Sequence, residues 1–273
     1  MKRIALSLSL ALLSISCPAG AAMTDWTEMQ GGAVRLISSG PLEDGRYLTG
    51  LEFLLEPGWH TYWRYPGEAG LPPQISYKGS ENLGGTEVLY PVPERYDDGY
   101  SRSIVYHDGV VLPIRVMPDT ADKDVRLTVE VAFGICKEVC VPAEASLTLD
   151  LAPSDERDDL SARLIERDLA AVPAAESREG LKIASVALSD GGDRLVIETD
   201  APAGTSADLF AAAPEGSYIG LPELAEDHGG HAVWNLSVKG LAVSNSDNTL
   251  RLVLVAGHKG VERLVPIAPD WLE

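Results

Sequence analysis

Two of the three cysteines in this 273-residue chain, Cys136 and Cys140, sit close together in the stretch 133–142, FGICKEVCVP. A thiol pair at that spacing can close into a disulfide, exchange disulfides with another protein, or ligate a soft metal ion. In a straight strand the two Cα atoms would lie about 13 Å apart, at roughly 3.3 Å per residue. A disulfide needs them within about 7 Å, so bonding requires a turn through Lys137, Glu138 and Val139. The loop so closed is very small. Chain entropy assigns such a bridge roughly 2 kcal/mol, against nearly 5 for a loop of about a hundred residues. A pair of so little value as a staple fits one that opens and closes.

The elements that position the pair read as strands. Val125, Leu127, Val129, Val131, Phe133 and Ile135 alternate with polar residues, the period of a half-buried strand. Cys136 then falls on the face away from the core, and a return strand follows at Leu147, Leu149 and Leu151. Both cysteines are expected in or beside a hairpin connection, reachable from solvent. Val34 and Leu36, the run from Tyr47 to Leu55, and Val110, Leu112, Ile114 and Val116 alternate likewise, with no convincing helix among them. Such short strands, punctuated by Gly and Pro, predict an antiparallel β-sandwich over 33–151. Within it, 58–64 (GWHTYWR) puts Trp59, Thr61 and Trp63 on one face and His60, Tyr62 and Arg64 on the other. Residue type alone makes the tryptophans core and His60 a surface position. The polar segment 93–101 (PERYDDGYS) carries Tyr96, Asp97 and Tyr100 and suits a surface loop that covers something.

Beyond this domain, 154–172 reads as a helix capped by Ser154, with Asp155 and Glu156 in its first turn and a stripe of Leu160, Leu164, Leu169 and Val172. Pro173 ends it, and 174–180 resembles a linker. From 181 onward strand-sized runs return at 183–188, 195–199, 207–210, 233–238, 250–255 and 261–267, predicting a second, smaller sandwich. It holds no cysteine, and His228, His231 and His258 form no ligand cluster by spacing. The expected organisation is a leader at 1–22, a sandwich with the cysteine pair at 23–152, a helical linker at 153–180 and a second sandwich at 181–273.

The leader follows from Met1-Lys2-Arg3, the apolar run 4–15 and the small residues Ala19-Gly20-Ala21, a secretory signal cut after Ala21 or Ala22. A lipid anchor on Cys17 fits less well, because Ser14-Ile15-Ser16 lacks the leucine that opens a lipobox. Export places the pair where disulfides persist. A formal charge of −19 argues against nucleic acid and anionic membrane surfaces as partners. No later apolar run reaches membrane-spanning length, and no motif calls for a cofactor.

The segments 58–64, 69–73 (AGLPP), 90–95 (YPVPER) and 136–142 (CKEVCVP) resemble the N-terminal periplasmic part of ScsB-type proteins, relatives of the thiol:disulfide interchange protein DsbD. The runs 207–210 (ADLF) and 214–216 (PEG) resemble the second immunoglobulin-like domain of that group, so the likeness spans nearly the whole mature chain. It implies an all-β fold of two immunoglobulin-like antiparallel β-sandwich domains joined by a short helical linker, located in the periplasm. It also implies a shuttle of reducing equivalents to periplasmic thioredoxin-fold proteins, recharged by a thioredoxin-like or membrane transporter domain. Cys136 and Cys140 match the redox pair, although DsbD has a wider spacing; by analogy Cys140 is attacked and Cys136 resolves. His60 and Tyr62 fall where DsbD carries two tyrosines, a partial match. Tyr96, Asp97 and Tyr100 fall where the family has a cap loop, without indicating which tyrosine shields the pair. With one dithiol and no membrane span in the sequence, a membrane electron donor acting in trans is expected. Thiol–disulfide exchange is the preferred reading. The alternatives are a permanent disulfide in a binding or assembly module, and copper or zinc held by the thiolates with His60 or His107.

Overall fold

Runs in which every second residue is apolar become strands, because only a strand places alternate side chains on one face. The computed structural model describes residues 22–244 and 247–272. The leader's basic start, its apolar run and Cys17 lie outside the described residues. The first eleven strands are β1 (Thr27–Met29), β2 (Gly32–Ser38), β3 (Tyr47–Leu55), β4 (His60–Gly67), β5 (Gln74–Ser76), β6 (Leu83–Val88), β7 (Glu94–Asp97), β8 (Arg102–His107), β9 (Gly109–Pro118), β10 (Val125–Cys136) and β11 (Cys140–Leu151). They form two antiparallel sheets, ordered β1-β2-β3-β9-β6 and β11-β10-β4-β8-β7, with β5 paired to β10 beyond the end of β4. Val34, Leu36, Leu51 and Phe53 on one sheet meet Leu127, Val129, Phe133 and Ile135 on the other.

One α-helix follows among the described residues, α1 (Asp159–Leu169). Its cap is Asp158, whose carboxylate accepts the Ser161 amide at 2.7 Å, and not Ser154 as expected. The residues before it go into a turn in which the Asp155 carboxylate accepts the Ala152 amide at 2.8 Å. The later start also changes which face is buried. Ser161, Ala162 and Ile165 turn inward, while Leu160 is 58% exposed. Ile165 packs against Ile37 and Val111, so the helix covers the outer face of the first sheet.

The second sandwich comprises β12 (Ala174–Ala175), β13 (Ser177–Arg178), β14 (Leu181–Leu188), β15 (Arg194–Asp200), β16 (Ala207–Ala212), β17 (Glu223–Asp227), β18 (His231–Ser237), β19 (Thr249–Ala256) and β20 (Lys259–Pro266). Their orders are β12-β20-β19-β16 and β13-β14-β15-β18-β17. Among the described residues only β12 on β20 is parallel. The linker-like 174–178 thus contributes a short strand to each sheet. The edge strand β17, with five exposed residues, shows no alternation that sequence could have revealed.

The sandwiches abut through β4. Tyr65 donates its hydroxyl to the Ile219 carbonyl at 2.7 Å and accepts the Ile219 amide at 2.8 Å. Trp63 faces Phe210 with ring centroids 6.4 Å apart, and the buried apolar cluster runs continuously through both sandwiches.

The cap generates a test. Asp158→Ala is expected to lower unfolding stability by about 1 kcal/mol in urea denaturation, whereas Ser154→Ala stays within about 0.5 kcal/mol of the parent.

Candidate functional site

β10 and β11 pair along their whole length, from Val125 opposite Leu151 to Cys136 opposite Cys140. Lys137, Glu138 and Val139 form the tip, and the Lys137 ammonium donates to the Pro57 carbonyl at 3.3 Å. The turn brings the cysteine Cα atoms to 4.1 Å, and the sulfurs are bonded. Cys136 also pairs with His60 on β4, and His60 with His107 on β8. Directly opposed residues project from one face of a sheet. Cys140, Cys136, His60 and His107 therefore form a row across four adjacent strands.

The row is unevenly covered. β11 is an edge strand, and Cys140 stands exposed on it. Cys136, one strand inward, is only 2% exposed, which corrects the expectation that both sulfurs are reachable from solvent. Its strand parity was read properly, since Cys136 lies on the face away from the main core. That face, however, carries a second small cluster in which Tyr62, Val105 and Tyr96 pack with Cys136. His60 needs the same correction: it is 4% exposed rather than a surface residue. Its ring lies 4.7 Å from that of Tyr96 and 5.6 Å from those of Tyr62 and His107.

Tyr62 reaches both sulfurs. Its hydroxyl oxygen lies 3.1 Å from Cys136 Sγ and 3.0 Å from Cys140 Sγ. Glycines make the slot that holds its ring. A Cβ on Gly70, where φ is +129°, would sit 2.2 Å from the ring, and one on Gly134 would sit 3.1 Å from it. The slot is fixed by the Gly134 amide, which donates to the Leu71 carbonyl, and by the Thr61 hydroxyl, which donates to the Gly134 carbonyl, both at 2.9 Å.

Burial keeps the aromatic lining uncharged. It raises the Tyr62 phenol to about 12, with Asp98 and Tyr96 adding to the shift. It lowers the His60 imidazole to about 4, helped by His107 and opposed by Asp98. Near neutral pH, Tyr62 thus keeps its proton and can donate it in a hydrogen bond to whichever sulfur carries negative charge. Such charge-assisted bonds are the strong ones, and they favour the thiolate that attacks in exchange.

The segment that suited a covering loop is a hairpin, β7 to β8. The Asp98 carboxylate accepts the Tyr100 and Ser101 amides, and the Asp97 carboxylate accepts the Gly99 amide, so both acids are engaged in the turn. Tyr100 is 100% exposed. Tyr96, partly buried, is the tyrosine that lies over His60 and Cys136. The sequence does not point to Val105 in the lining, and it points to His107 only in the metal-binding alternative. His107 Nδ1 meets Glu94 Oε2 at 3.0 Å. The run Ile104-Val105-Tyr106-His107 has strand character, and its alternation would have put Val105 and His107 on one face. Among the described residues no group of three or more His, Cys, Asp or Glu side chains is arranged to hold a metal ion.

These observations define an all-β protein of two immunoglobulin-like sandwiches, with a disulfide on the outer face of the first. Residues 37–152, most of the first sandwich, match the family model of the thiol:disulfide interchange protein DsbD, N-terminal. The N-terminal periplasmic domain of ScsB from Proteus mirabilis has the same fold, with a TM-score of 0.70 at 22% identity over 90% of this chain and 98% of that one. A marsupial T cell receptor overlaps at a TM-score of 0.22 and 9% identity, over 89% of this chain and 99% of that one, too low a score to bear on the fold. No curated protein sequence matches the chain.

Two outcomes are expected from this geometry. Tyr96→Ala speeds alkylation of the reduced thiols by iodoacetamide, while Tyr100→Ala leaves the rate unchanged; equal rates in all three proteins would remove Tyr96 as a cover. The second concerns acid. Because His60 binds its proton at about 4 when folded and at 6.5 when free, the unfolded chain takes up the proton first. Stability from neutral His60 is therefore full above 6.5 and lost as pH falls towards 4. The parent should lose more stability than His60→Gln between about pH 7 and about pH 4.5 in urea melts, and equal losses would place the acid sensitivity elsewhere.

Proposed function

We propose that this protein is a periplasmic thiol–disulfide oxidoreductase that passes reducing equivalents to thioredoxin-fold proteins through Cys136 and Cys140. The observation that carries the reading is the division of one bonded pair into an exposed sulfur, Cys140, and a covered one, Cys136. Exchange needs that division, since one sulfur must meet the partner while its neighbour waits to resolve the intermediate.

In the forward step the Cys140 thiolate attacks a partner disulfide. A mixed disulfide forms and one partner thiolate leaves. Cys136, deprotonated in turn, attacks the Cys140 sulfur; the intramolecular disulfide forms, the mixed bond breaks, and the second partner thiolate departs. Two electrons have moved to the partner, whose thiolates take up the two protons released by the cysteines. Tyr62, touching both sulfurs, is placed to stabilise each thiolate in turn. Val139, 72% exposed at the hairpin tip beside Cys140, offers an apolar contact to the incoming protein. With no second cysteine pair in the sequence, the two electrons must be returned by a dithiol outside the two sandwiches. A membrane-embedded donor fits that need. None of the described helices is itself long and apolar enough to cross a membrane.

The test is covalent trapping with a thioredoxin-fold protein carrying a disulfide. Cys136→Ala should accumulate mixed disulfides through Cys140, and Cys140→Ala should accumulate few. Trapping by neither variant, with the native pair oxidised under all cellular conditions, would leave a structural disulfide as the better reading.

A further inference from the structure

β7 works on both of its faces. Tyr96 packs from one against the cluster of Tyr62, Val105 and Cys136, and its neighbour Arg95, on the other, reaches into the second sandwich. Arg95 Nε and Nη2 donate to the two carboxylate oxygens of Asp208 on β16 at 2.9 and 2.7 Å. Nη2 also meets the carbonyl oxygens of Leu209 at 3.2 Å and Pro222 at 3.1 Å. The ion pair is largely withdrawn from water, with side-chain exposures of 25% and 33%. On the far side of the Asp98–Ser101 turn, Arg102 opens β8. Its Nη1 donates to Glu223 on β17 at 3.0 Å, while Nε and Nη2 hold Glu68. Each strand of the hairpin that carries Tyr96 is thus tied to the second sandwich.

β7 needs such a tie. It is the last strand of its sheet, with a ladder only to β8. An edge strand of four residues, paired on one side, is the kind of segment that opens at low free energy. A bidentate arginine–carboxylate pair fixes direction as well as distance. One residue away from it, the Tyr96 ring has little freedom to swing off Cys136. The two sandwiches do not depend on this pair to stay together, since Tyr65 with Ile219 and Trp63 with Phe210 join them independently.

We propose that the second sandwich positions the cover on the inner side of the disulfide: Arg95–Asp208, aided by Arg102–Glu223, holds the β7–β8 hairpin down so that Tyr96 shields Cys136. Arg95 and Asp208 are positioning residues that act through Tyr96. The biological meaning of the clamp rests on the reading of the pair as an exchanging dithiol, but the clamp itself is testable apart from that reading. In this arrangement, a partner that disturbs the contact between the sandwiches gains access to Cys136.

The experiment follows alkylation of Cys136 by iodoacetamide in the reduced full-length protein, read by tandem mass spectrometry. The Cys136 thiolate displaces iodide and a thioether forms. Asp208→Ala and Tyr96→Ala are each expected to raise the rate by about 5-fold or more, the equivalent of roughly 1 kcal/mol of lost closure. The double variant should be no faster than Tyr96→Ala alone, because an absent cover cannot be released. The exchanged pair, Arg95→Asp with Asp208→Arg, should bring the rate back towards that of the parent. Tyr65→Phe serves as the control for general loosening, lowering stability without changing the rate. An unchanged rate in Asp208→Ala, a further multiplication in the double variant, or an equal acceleration by Tyr65→Phe would each overturn the proposal. Asp208→Asn, which keeps the side-chain shape, replaces Asp208→Ala if the latter does not fold. Failure of the exchange reading would show instead as absent trapping by protein partners, which this measurement with a small alkylating reagent does not touch.

Discussion

The register between β10 and β11 decides where the sulfurs stand. Each strand is 12 residues long, and the two pair from end to end. A slip of one residue would turn the row from Val125 to Ile135 out of the core and carry the strand's polar residues into it. Leu127, Val129 and Phe133 are nearly fully buried, and burying each such side chain is worth about 1.5–3 kcal/mol. Their sum far exceeds the roughly 2 kcal/mol that chain entropy grants a disulfide closing so short a loop. Causation therefore runs from the core to the bond. The sandwich fixes the hairpin, the hairpin sets Cys136 opposite Cys140, and the pair remains in place whether or not the sulfurs are joined.

Sheet order then makes the two cysteines unlike. Cys140 belongs to an edge strand, with no neighbour beyond it, whereas Cys136 has β4 at its side and Tyr62, Val105 and Tyr96 above. The cover carries almost no charge of its own, because burial drives His60 to its neutral form and holds the Tyr62 proton in place. A charged imidazole would stabilise a thiolate more strongly than a phenol does. It would also have to be desolvated beside His107, and that desolvation is the larger cause of its lowered proton affinity. The arrangement leaves Tyr62 as the group that can answer negative charge on either sulfur, at 3.1 and 3.0 Å.

Sequence made the alternating strands legible, since parity alone separates Phe133 and Ile135 from Cys136. The two sandwiches, the need for a turn at Lys137 to Val139 and the resemblance around 136–142 were also within reach. Exposure at the site was not, because parity identifies a face and says nothing about what covers it. Parity therefore leaves Cys136 and His60 in solvent, whereas the cover comes from Tyr96 on β7 and Val105 on β8, strands distant in sequence from the hairpin tip. The choice between Tyr96 and Tyr100 was equally out of reach, because it depends on where β7 stops and the Asp98 turn begins. The helix failed differently: acidic residues and leucines were plentiful enough to fit two phases, and tertiary contact of Ile165 with Ile37 and Val111 selected the later one.

The second sandwich has no cysteine, and two of its three histidines lie in separate hydrogen-bonded pairs at the surface, His228 with Glu226 and His231 with Asp200. The chemistry proposed for this protein lies on one face of the first sandwich, which the second meets through side-chain contacts with β7 and β8. Contacts between rigid sheets transmit force only where a strand is free to move. The first sandwich offers such a strand in β7, at the edge of its sheet and next to β8, the last strand of the row of site residues. The second meets it with β16 and the acidic edge strand β17, whose exposed Glu223 engages Arg102. Edge strands are ordinarily a hazard, since their free backbone groups invite pairing with other chains. Here two edges face each other and are joined by arginine–carboxylate pairs rather than by a backbone ladder. A ladder would have fused the sheets into one body. Side-chain ties hold the hairpin in place yet leave it a separate element, which is the property a removable cover over a disulfide requires.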